Sequence, residues 1–237
     1  QSDLPPIDGD FYNLDYKLTK EQRELQMKVR HLMEDEIRPL VNDHWNRAKF
    51  PFEIIEKFKK LNIAGIPYEG YGCPNLPFLM EGIIAQEIAR VDVSTSTFFG
   101  VHSGLAMGSI YLCGSEEQKQ KWLPQMQKLE KIGAFGLTEP NVGSGVAGGL
   151  ETTCKFDGEN WILNGQKKWI GNATFADVTI IWARDEDSNQ VKGFLVEKDN
   201  PGFRAEKMED KMALRIVQNA IITLTDCKVA ESDRLQN

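Results

Sequence analysis

The pattern of apolar residues changes just past the middle of the chain, and this change constrains the fold more than any other feature. Before it, apolar residues such as Leu25 and Val29 recur at helical spacing. After it, apolar residues form short runs rich in β-branched and aromatic types, separated by turn signals such as Asp157-Gly158. The sequence therefore predicts an α+β protein, with an all-α domain over residues 1–132 and a small antiparallel β domain over residues 133–237.

Capping and turn residues mark the ends of the predicted elements. Thr19 with Gln22, and Ser115 with Gln118, have the spacing of a capping box, in which side chains satisfy free amides at a helix start. Pro39 is expected to kink or end the first helix. Helices are predicted from residue 18, after the Phe-Pro-Phe at 50–52, over 78–90 and 95–113, and from 115 to about 129; strands are predicted over 152–156, 161–163, 178–183, 191–196 and 220–224.

Charge and apolar content exclude several classes of protein. The 237 residues include 35 acidic and 28 basic ones, and the net charge of −7 argues against a nucleic-acid-binding surface. The longest apolar run is far shorter than the roughly 20 residues of a membrane-spanning helix. The polar N-terminus lacks the features of a secretory signal. We therefore expect a protein of the cytoplasm, or of the mitochondrial matrix or peroxisome in a eukaryote.

The cysteines and histidines are scattered, without the spacing of metal ligands. Because the chain is long and shows no secretory signal, we expect buried free thiols rather than disulfides, and no zinc site. The cysteines are Cys73, Cys113, Cys154 and Cys227, and the histidines are His31, His44 and His102.

Two stretches carry residues of the kind that bind a flat, phosphorylated cofactor. Residues 133–149 read GAFGLTEPNVGSGVAGG, and residues 167–173 read KKWIGNA. The first offers the Thr138 hydroxyl and a Gly-Ser-Gly turn whose amides can bind a pyrophosphate, and the second offers Trp169. Taken alone, the same residues are also compatible with a core strand around residue 135, an ordinary loop and a core tryptophan.

Taken together and in this order, the motifs resemble the acyl-CoA dehydrogenase/oxidase family of flavoproteins, and the likeness covers the whole chain. Within the family, the sequence is similar to glutaryl-CoA dehydrogenases and to the short-chain acyl-CoA oxidase type. Besides LTEPNVGSG and KWIGNA, the motifs are YGCP at 71–74, EIARVD at 87–92, GSEEQKQKWLP at 114–124, LNGQKKWI at 163–170 and KMALR at 211–215.

The resemblance implies a three-domain subunit, consisting of a helical domain, a β-barrel-like domain and a helical bundle, usually assembled as a homotetramer. It also implies bound FAD, an acyl-CoA thioester as substrate, and an electron-transfer flavoprotein or oxygen as electron acceptor. The chain matches the first two domains only. Since the catalytic glutamate of the family lies in the third domain, no catalytic residue is assigned. This chain alone is expected to be inactive and to retain FAD weakly or not at all.

The resemblance also implies roles for individual residues. Thr138 would hydrogen-bond the flavin, the backbone at Phe135 and Leu137 would face the ring, and Trp169 would pack beside it. The remaining residues implied in cofactor binding are Gly143, Ser144, Ile170 and Gly171, and those implied in substrate binding are Ser96, Thr97 and Ser144.

Three positions depart from the family pattern. Gly145 stands where an Asp is usual in the family. Gly171 stands where dehydrogenases have a Ser or Thr that offers a hydroxyl to the flavin, whereas the short-chain oxidase type also has a glycine there. Ser96 stands where glutaryl-CoA dehydrogenases carry an Arg that pairs with the distal carboxylate of the substrate, a role that serine cannot fill. We therefore expect a short, neutral acyl-CoA substrate. A non-catalytic flavin- or acyl-CoA-binding protein and an interaction scaffold remain as alternative functions.

Overall fold

The computed structural model describes residues 14–144 and 146–236. The first half of the chain forms a helical layer, and the second half forms a seven-stranded sheet. The predicted α+β class is therefore confirmed. Buried apolar side chains from both layers belong to one continuous core cluster. Within the described ranges, no helix is long and apolar enough to cross a lipid bilayer.

Helices α1 and α7 begin where the predicted capping residues place them. The hydroxyl of Thr19 accepts from the amide of Gln22 at 3.3 Å, and Ser115 accepts from Gln118 at 3.2 Å, so both capping boxes are confirmed. The helices are α1 (Lys20–His31), α2 (Arg38–Arg47), α3 (Glu53–Lys59), α4 (Phe78–Ala89), α5 (Val93–Gly100), α6 (Met107–Cys113), α7 (Glu116–Gln127) and the short α8 (Val146–Gly149).

Two π-helical segments join neighbouring helices without a break. Leu32–Ile37 links α1 to α2, and Val101–Ala106 links α5 to α6. Pro39 lies in the first turn of α2, directly after the first π segment. Because proline has no N–H, the wider π turn before it accommodates the missing hydrogen bond, and the chain stays helical through this point.

The sheet mixes antiparallel and parallel pairs. Its strand order is β1-β4-β2-β3-β7-β6, with β5 paired to β4, and the turn at Asp157-Gly158 joins β2 to β3 as the predicted hairpin. The antiparallel prediction holds for most pairs, but β4 pairs in parallel with β1 and β2. The strands are β1 (Gly133–Gly136), β2 (Thr153–Phe156), β3 (Asn160–Gly171), β4 (Val178–Asp185), β5 (Val191–Glu197), β6 (Phe203–Lys207) and β7 (Asn219–Ala230).

His102 and Asn172 connect the helical layer to the sheet. The buried His102 accepts a hydrogen bond from the amide of Gly133 through Nδ1 at 3.0 Å, and its Nε2 donates to the carbonyl of Met126 at 2.9 Å. Asn172 donates to the carbonyls of Phe98 at 3.0 Å and Gly133 at 3.3 Å. The first strand therefore starts at a point fixed by both layers.

The four cysteines are free thiols, as predicted, but Cys73 and Cys113 are only partly buried. Cys154 and Cys227 are fully buried in the sheet, and burial raises the pKa of each thiol to about 12. Thiols with such pKa values stay protonated at neutral pH and are poor nucleophiles.

Candidate functional site

The two motifs meet in the structure. After β1, the segment through Leu137 and Thr138 runs along the far end of β3. The amide of Lys168 donates to the carbonyl of Thr138 at 2.9 Å, and the Lys167 ammonium donates to the carbonyl of Leu137 at 3.1 Å. The segments that carry Thr138 and Trp169, which lie far apart in sequence, are therefore adjacent in the fold.

An irregularity in the β3–β7 pairing turns Trp169 outward. The register shifts between Lys167 and Ile170, which are both buried, while Trp169 between them is 53% exposed and has a positive φ of 67°. Its carbonyl accepts a hydrogen bond from the Asn219 amide at 3.1 Å. A large, exposed indole held in this way offers a flat apolar surface to a ring system.

Asn219 is itself held by a lysine. The Lys211 ammonium donates to the side-chain oxygen of Asn219 at 2.7 Å and to the carbonyls of Leu214 at 2.7 Å and Val217 at 2.5 Å. Burial, with the neighbouring cations Lys207 and Arg215, lowers the pKa of Lys211 to about 8. The KMALR motif thus supports the Trp169 backbone through Asn219.

A buried ion pair joins the same two segments. The carboxylate of Glu139 and the ammonium of Lys167 are 2.8 Å apart, and both side chains are fully buried. The carboxylate also accepts from the amides of Glu151 at 2.6 Å and Thr152 at 2.9 Å. Both segments of the candidate site are attached to this pair.

Phe135 contributes to a groove beside the site. Its half-buried ring makes an edge contact with Trp182 of β4, with centroids 6.2 Å apart. Next to it, a β-carbon at Gly136 would lie 2.7 Å from the end of the Ile181 side chain and 3.2 Å from the Ile180 carbonyl oxygen, so a larger residue there would displace Ile181. The groove has a volume of about 670 Å³, and its lining includes Tyr68, Phe78, Leu105, Leu112, Phe135 and Trp182.

The predicted phosphate-binding turn lies at the edge of the described surface. Gly143 and Ser144 are exposed in a turn, and Gly145 lies outside the described residues. Within the described ranges, no hydrogen bond joins Ser144 to Thr138 or Trp169. The roles of Gly143 and Ser144 therefore stay predictions.

Gly171 is buried against the helical layer. A β-carbon there would lie 3.4 Å from Val101 and 3.7 Å from Val217. Because Val101 directly follows α5, this contact brings the end of β3 close to the helix that carries the two predicted substrate-binding residues, Ser96 and Thr97.

Ser96 and Thr97 each hydrogen-bond a helix carbonyl. Ser96 donates to Ala85 at 3.4 Å, and Thr97 donates to Val93 at 2.9 Å. Ser96 also lines a cavity of about 70 Å³ together with the half-buried carboxylate of Glu81. Their substrate role stays a prediction.

Comparison with known proteins shows what the chain is similar to. Residues 19–146 match the family model described as "Acyl-CoA dehydrogenase, N-terminal domain", and residues 134–227 match "Acyl-CoA dehydrogenase, middle domain". The short-chain specific acyl-CoA dehydrogenase of Clostridium acetobutylicum is 33% identical over 217 residues, covering 90% of this chain and 57% of that protein. The mitochondrial short-chain specific enzyme of Mus musculus is 33% identical, covering 92% of this chain and 54% of that protein.

Solved structures give the same result. A glutaryl-CoA dehydrogenase from Mycobacterium smegmatis in complex with FADH2 has a TM-score of 0.91 and 36% identity, covering 96% of this chain and 58% of that one. An acyl-CoA dehydrogenase from Bacillus anthracis complexed with FAD has a TM-score of 0.86 and 28% identity, covering 94% of this chain and 39% of that one. The chain therefore spans less than two thirds of the length of these proteins.

Proposed function

The chain belongs to the acyl-CoA dehydrogenase family, and from this premise we propose that it binds FAD and takes part in the α,β-dehydrogenation of an acyl-CoA thioester. The observation that carries the proposal is the contact between the Thr138 and Trp169 segments, made by the Lys168 amide on the Thr138 carbonyl at 2.9 Å. FAD complexes among its structural neighbours support the cofactor.

The residues present fit a flavin. Trp169 offers an exposed aromatic face, and Thr138 is half-buried beside it. Among the described residues, neither the N–H nor the hydroxyl of Thr138 has a hydrogen-bond partner. In this proposal Thr138 donates to the ring edge and Trp169 packs against the ring.

Bound FAD would supply the oxidant that accepts hydride from the β-carbon of the thioester. Removal of the α-proton needs a free carboxylate or another base within hydrogen-bond reach. Glu139 does not fit that role, because its carboxylate already accepts from Lys167 and two amides. We therefore assign this chain the cofactor-holding part of the reaction and no base.

The substrate we propose is a short, neutral acyl-CoA. Short-chain specific enzymes among the relatives support the chain length. Ser96 supports the absence of a second carboxylate, because its hydroxyl donates to the Ala85 carbonyl and a serine offers no positive charge for such a group to pair with. We further propose a homo-oligomer that passes electrons to an electron-transfer flavoprotein or to oxygen.

Titration with FAD tests the cofactor. We expect flavin fluorescence to change saturably with the unaltered chain, and Trp169→Ala to weaken binding by about tenfold, since one aromatic contact contributes on the order of 1 kcal/mol beyond its buried area. Phe156→Ala is the matched control, because this residue is a comparably exposed aromatic at the opposite end of the β2–β3 hairpin. Equal affinities for all three proteins would refute the role of Trp169.

A non-catalytic flavin-binding protein is the second candidate, and the engaged carboxylate of Glu139 favours it. Butyryl-CoA separates the two candidates. We expect it to leave the flavin absorbance of this chain unchanged, and to bleach that absorbance when a segment corresponding to the remaining length of the relatives is supplied. A complete protein that binds FAD and is never bleached by acyl-CoA substrates would leave the binding protein as the better description.

A further inference from the structure

The ion pair of Glu139 and Lys167 lies between the two flavin-binding segments with both side chains fully buried, at a distance of 2.8 Å. Burying two charges carries a desolvation cost that their attraction offsets only when the remaining polar atoms are also bonded. Such a pair is weak support for stability by itself, so its position calls for another explanation.

The carboxylate and the ammonium of the pair both hydrogen-bond backbone groups of neighbouring segments. The Glu139 carboxylate accepts from the amides of Glu151 and Thr152, at 2.6 and 2.9 Å. Burial raises the pKa of Glu139, but the bonds from Lys167 and these amides outweigh burial and hold the pKa below its usual value. The Lys167 ammonium also donates to the carbonyl of Leu137 at 3.1 Å. Burial lowers the pKa of Lys167, and its bond to Glu139 acts in the opposite direction. The pair is therefore bonded to the backbone on both sides.

The bond to Leu137 fixes the direction of the next peptide group. In a trans peptide, the carbonyl of one residue and the N–H of the next point in opposite directions. Because the Leu137 carbonyl points at the buried ammonium, the N–H of Thr138 points away from it. The Lys168 amide then holds the carbonyl of Thr138 at 2.9 Å, which fixes the following peptide group as well.

We infer that Glu139 and Lys167 are positioning residues, which orient the Thr138 peptide and hold it beside the Trp169 segment so that both are ready for the flavin. The inference rests on the proposed function. Neither residue contacts the flavin ring directly. Lys167 orients the Thr138 peptide by its hydrogen bond to the Leu137 carbonyl, and Glu139 holds Lys167 in place.

A second buried ion pair in the same chain provides a matched control. Arg30 of α1 donates to the fully buried Glu87 carboxylate of α4, at 2.7 and 2.8 Å. This pair joins two helices, and Glu87 also bonds Gln26 and Arg90 within the helical layer. Replacing it should lower the stability of the chain without turning the Thr138 peptide.

The experiment compares the double variants Glu139→Gln/Lys167→Met and Arg30→Met/Glu87→Gln in the full 237-residue chain. FAD affinity is measured by fluorescence titration, and amide hydrogen exchange across 137–144 and 167–171 is measured without FAD. In the first variant we expect FAD affinity to fall about tenfold, equivalent to losing one charge-assisted hydrogen bond, and exchange to rise in both segments. The second variant should change neither measurement.

If the first double variant does not fold, Glu139→Asp replaces it, because it keeps both charges while shortening the carboxylate arm by one methylene. Unchanged FAD affinity and exchange, or equal changes in both variants, would overturn the positioning role and leave the proposed function standing. If the unaltered chain binds no FAD at any concentration, the proposed function and the positioning role are both overturned.

Discussion

Trp169 has an unusual backbone for a bulky residue. A positive φ, here 67°, costs on the order of 1–3 kcal/mol for a non-glycine residue, so surrounding contacts must hold it. Asn219 provides one such contact through its bond to the Trp169 carbonyl at 3.1 Å, and Lys211 holds Asn219 in turn at 2.7 Å. Strain offset by neighbouring bonds in this way is common at ligand-binding sites.

Replacing Asn219 tests this support. Asn219→Leu keeps the approximate volume but removes both bonds, and we expect the free energy of unfolding to fall by about 1–3 kcal/mol. Asn219→Asp keeps the acceptor for Lys211 and loses only the donor to Trp169, so its loss should be smaller. Urea denaturation measures both variants. A stability of Asn219→Leu equal to that of the unaltered chain would show that the Trp169 backbone does not depend on this contact.

At the scale of elements, local signals were sufficient for the two helix starts that carry a capping box, whereas α5 begins at Val93, two residues before its predicted start. Thr19 and Ser115 bond to amides three residues away, so short-range spacing predicts them correctly. The π segment Val101–Ala106 was not predicted, because its apolar residues read as part of one helix over 95–113. It moves His102 and Ser103 into the core without ending the helix.

Strand β3 shows where local reading fails. The prediction over 161–163 covers only its start, because the following Gln166, Lys167 and Lys168 are polar and indicate a strand end. Lys167 is buried because its partner Glu139 comes from 28 residues earlier in the chain. Strand β6 was not predicted, and β1 was only an alternative interpretation of the residues around 135. The parallel partners of β4 depend on contacts distant in sequence.

In the candidate site too, residues within the motifs are predictable from sequence, whereas residues that act through distant partners are not. The motif residues Thr138 and Trp169 were named from sequence, and the structure brings their segments together. Lys167, Glu139 and Asn219 were missed as supporting residues, since each works through a partner from another element. The opposite charges in the two motifs, LTEP and KKW, are the one sequence signal that could have indicated the buried pair.

At the scale of the whole molecule, the two layers are joined through a histidine that stays neutral. Burial lowers the pKa of His102 to about 4, although its bond to Met126 and the nearby Asp177 act in the opposite direction. The amide of Gly133 donates to the unprotonated Nδ1, so protonation would break the bond at the start of β1.

The stability of the chain should therefore fall in mild acid. The unfolded chain binds a proton at His102 below its ordinary pKa of about 6.5, whereas the folded chain does so only near pH 4. Stability is then lost as the pH falls from about 6.5 to 4, by up to about 3 kcal/mol. Denaturation at a series of pH values measures this loss.

His102→Gln isolates this effect from the carboxylates that also titrate in acid. The variant should be less stable at pH 7 but should lose less stability between pH 6.5 and 4 than the unaltered chain. If the two proteins lose equal stability over this range, His102 is not the group responsible.

The contact between Gly171 and Val101 has a consequence for how this protein can diverge. A β-carbon at residue 171 would already touch Val101 at 3.4 Å and Val217 at 3.7 Å, so larger groups there are limited by the size of both valines. Residues 171 and 101 lie on different layers, so natural substitutions at the two positions should occur as pairs, a bulkier residue at one accompanying a smaller residue at the other.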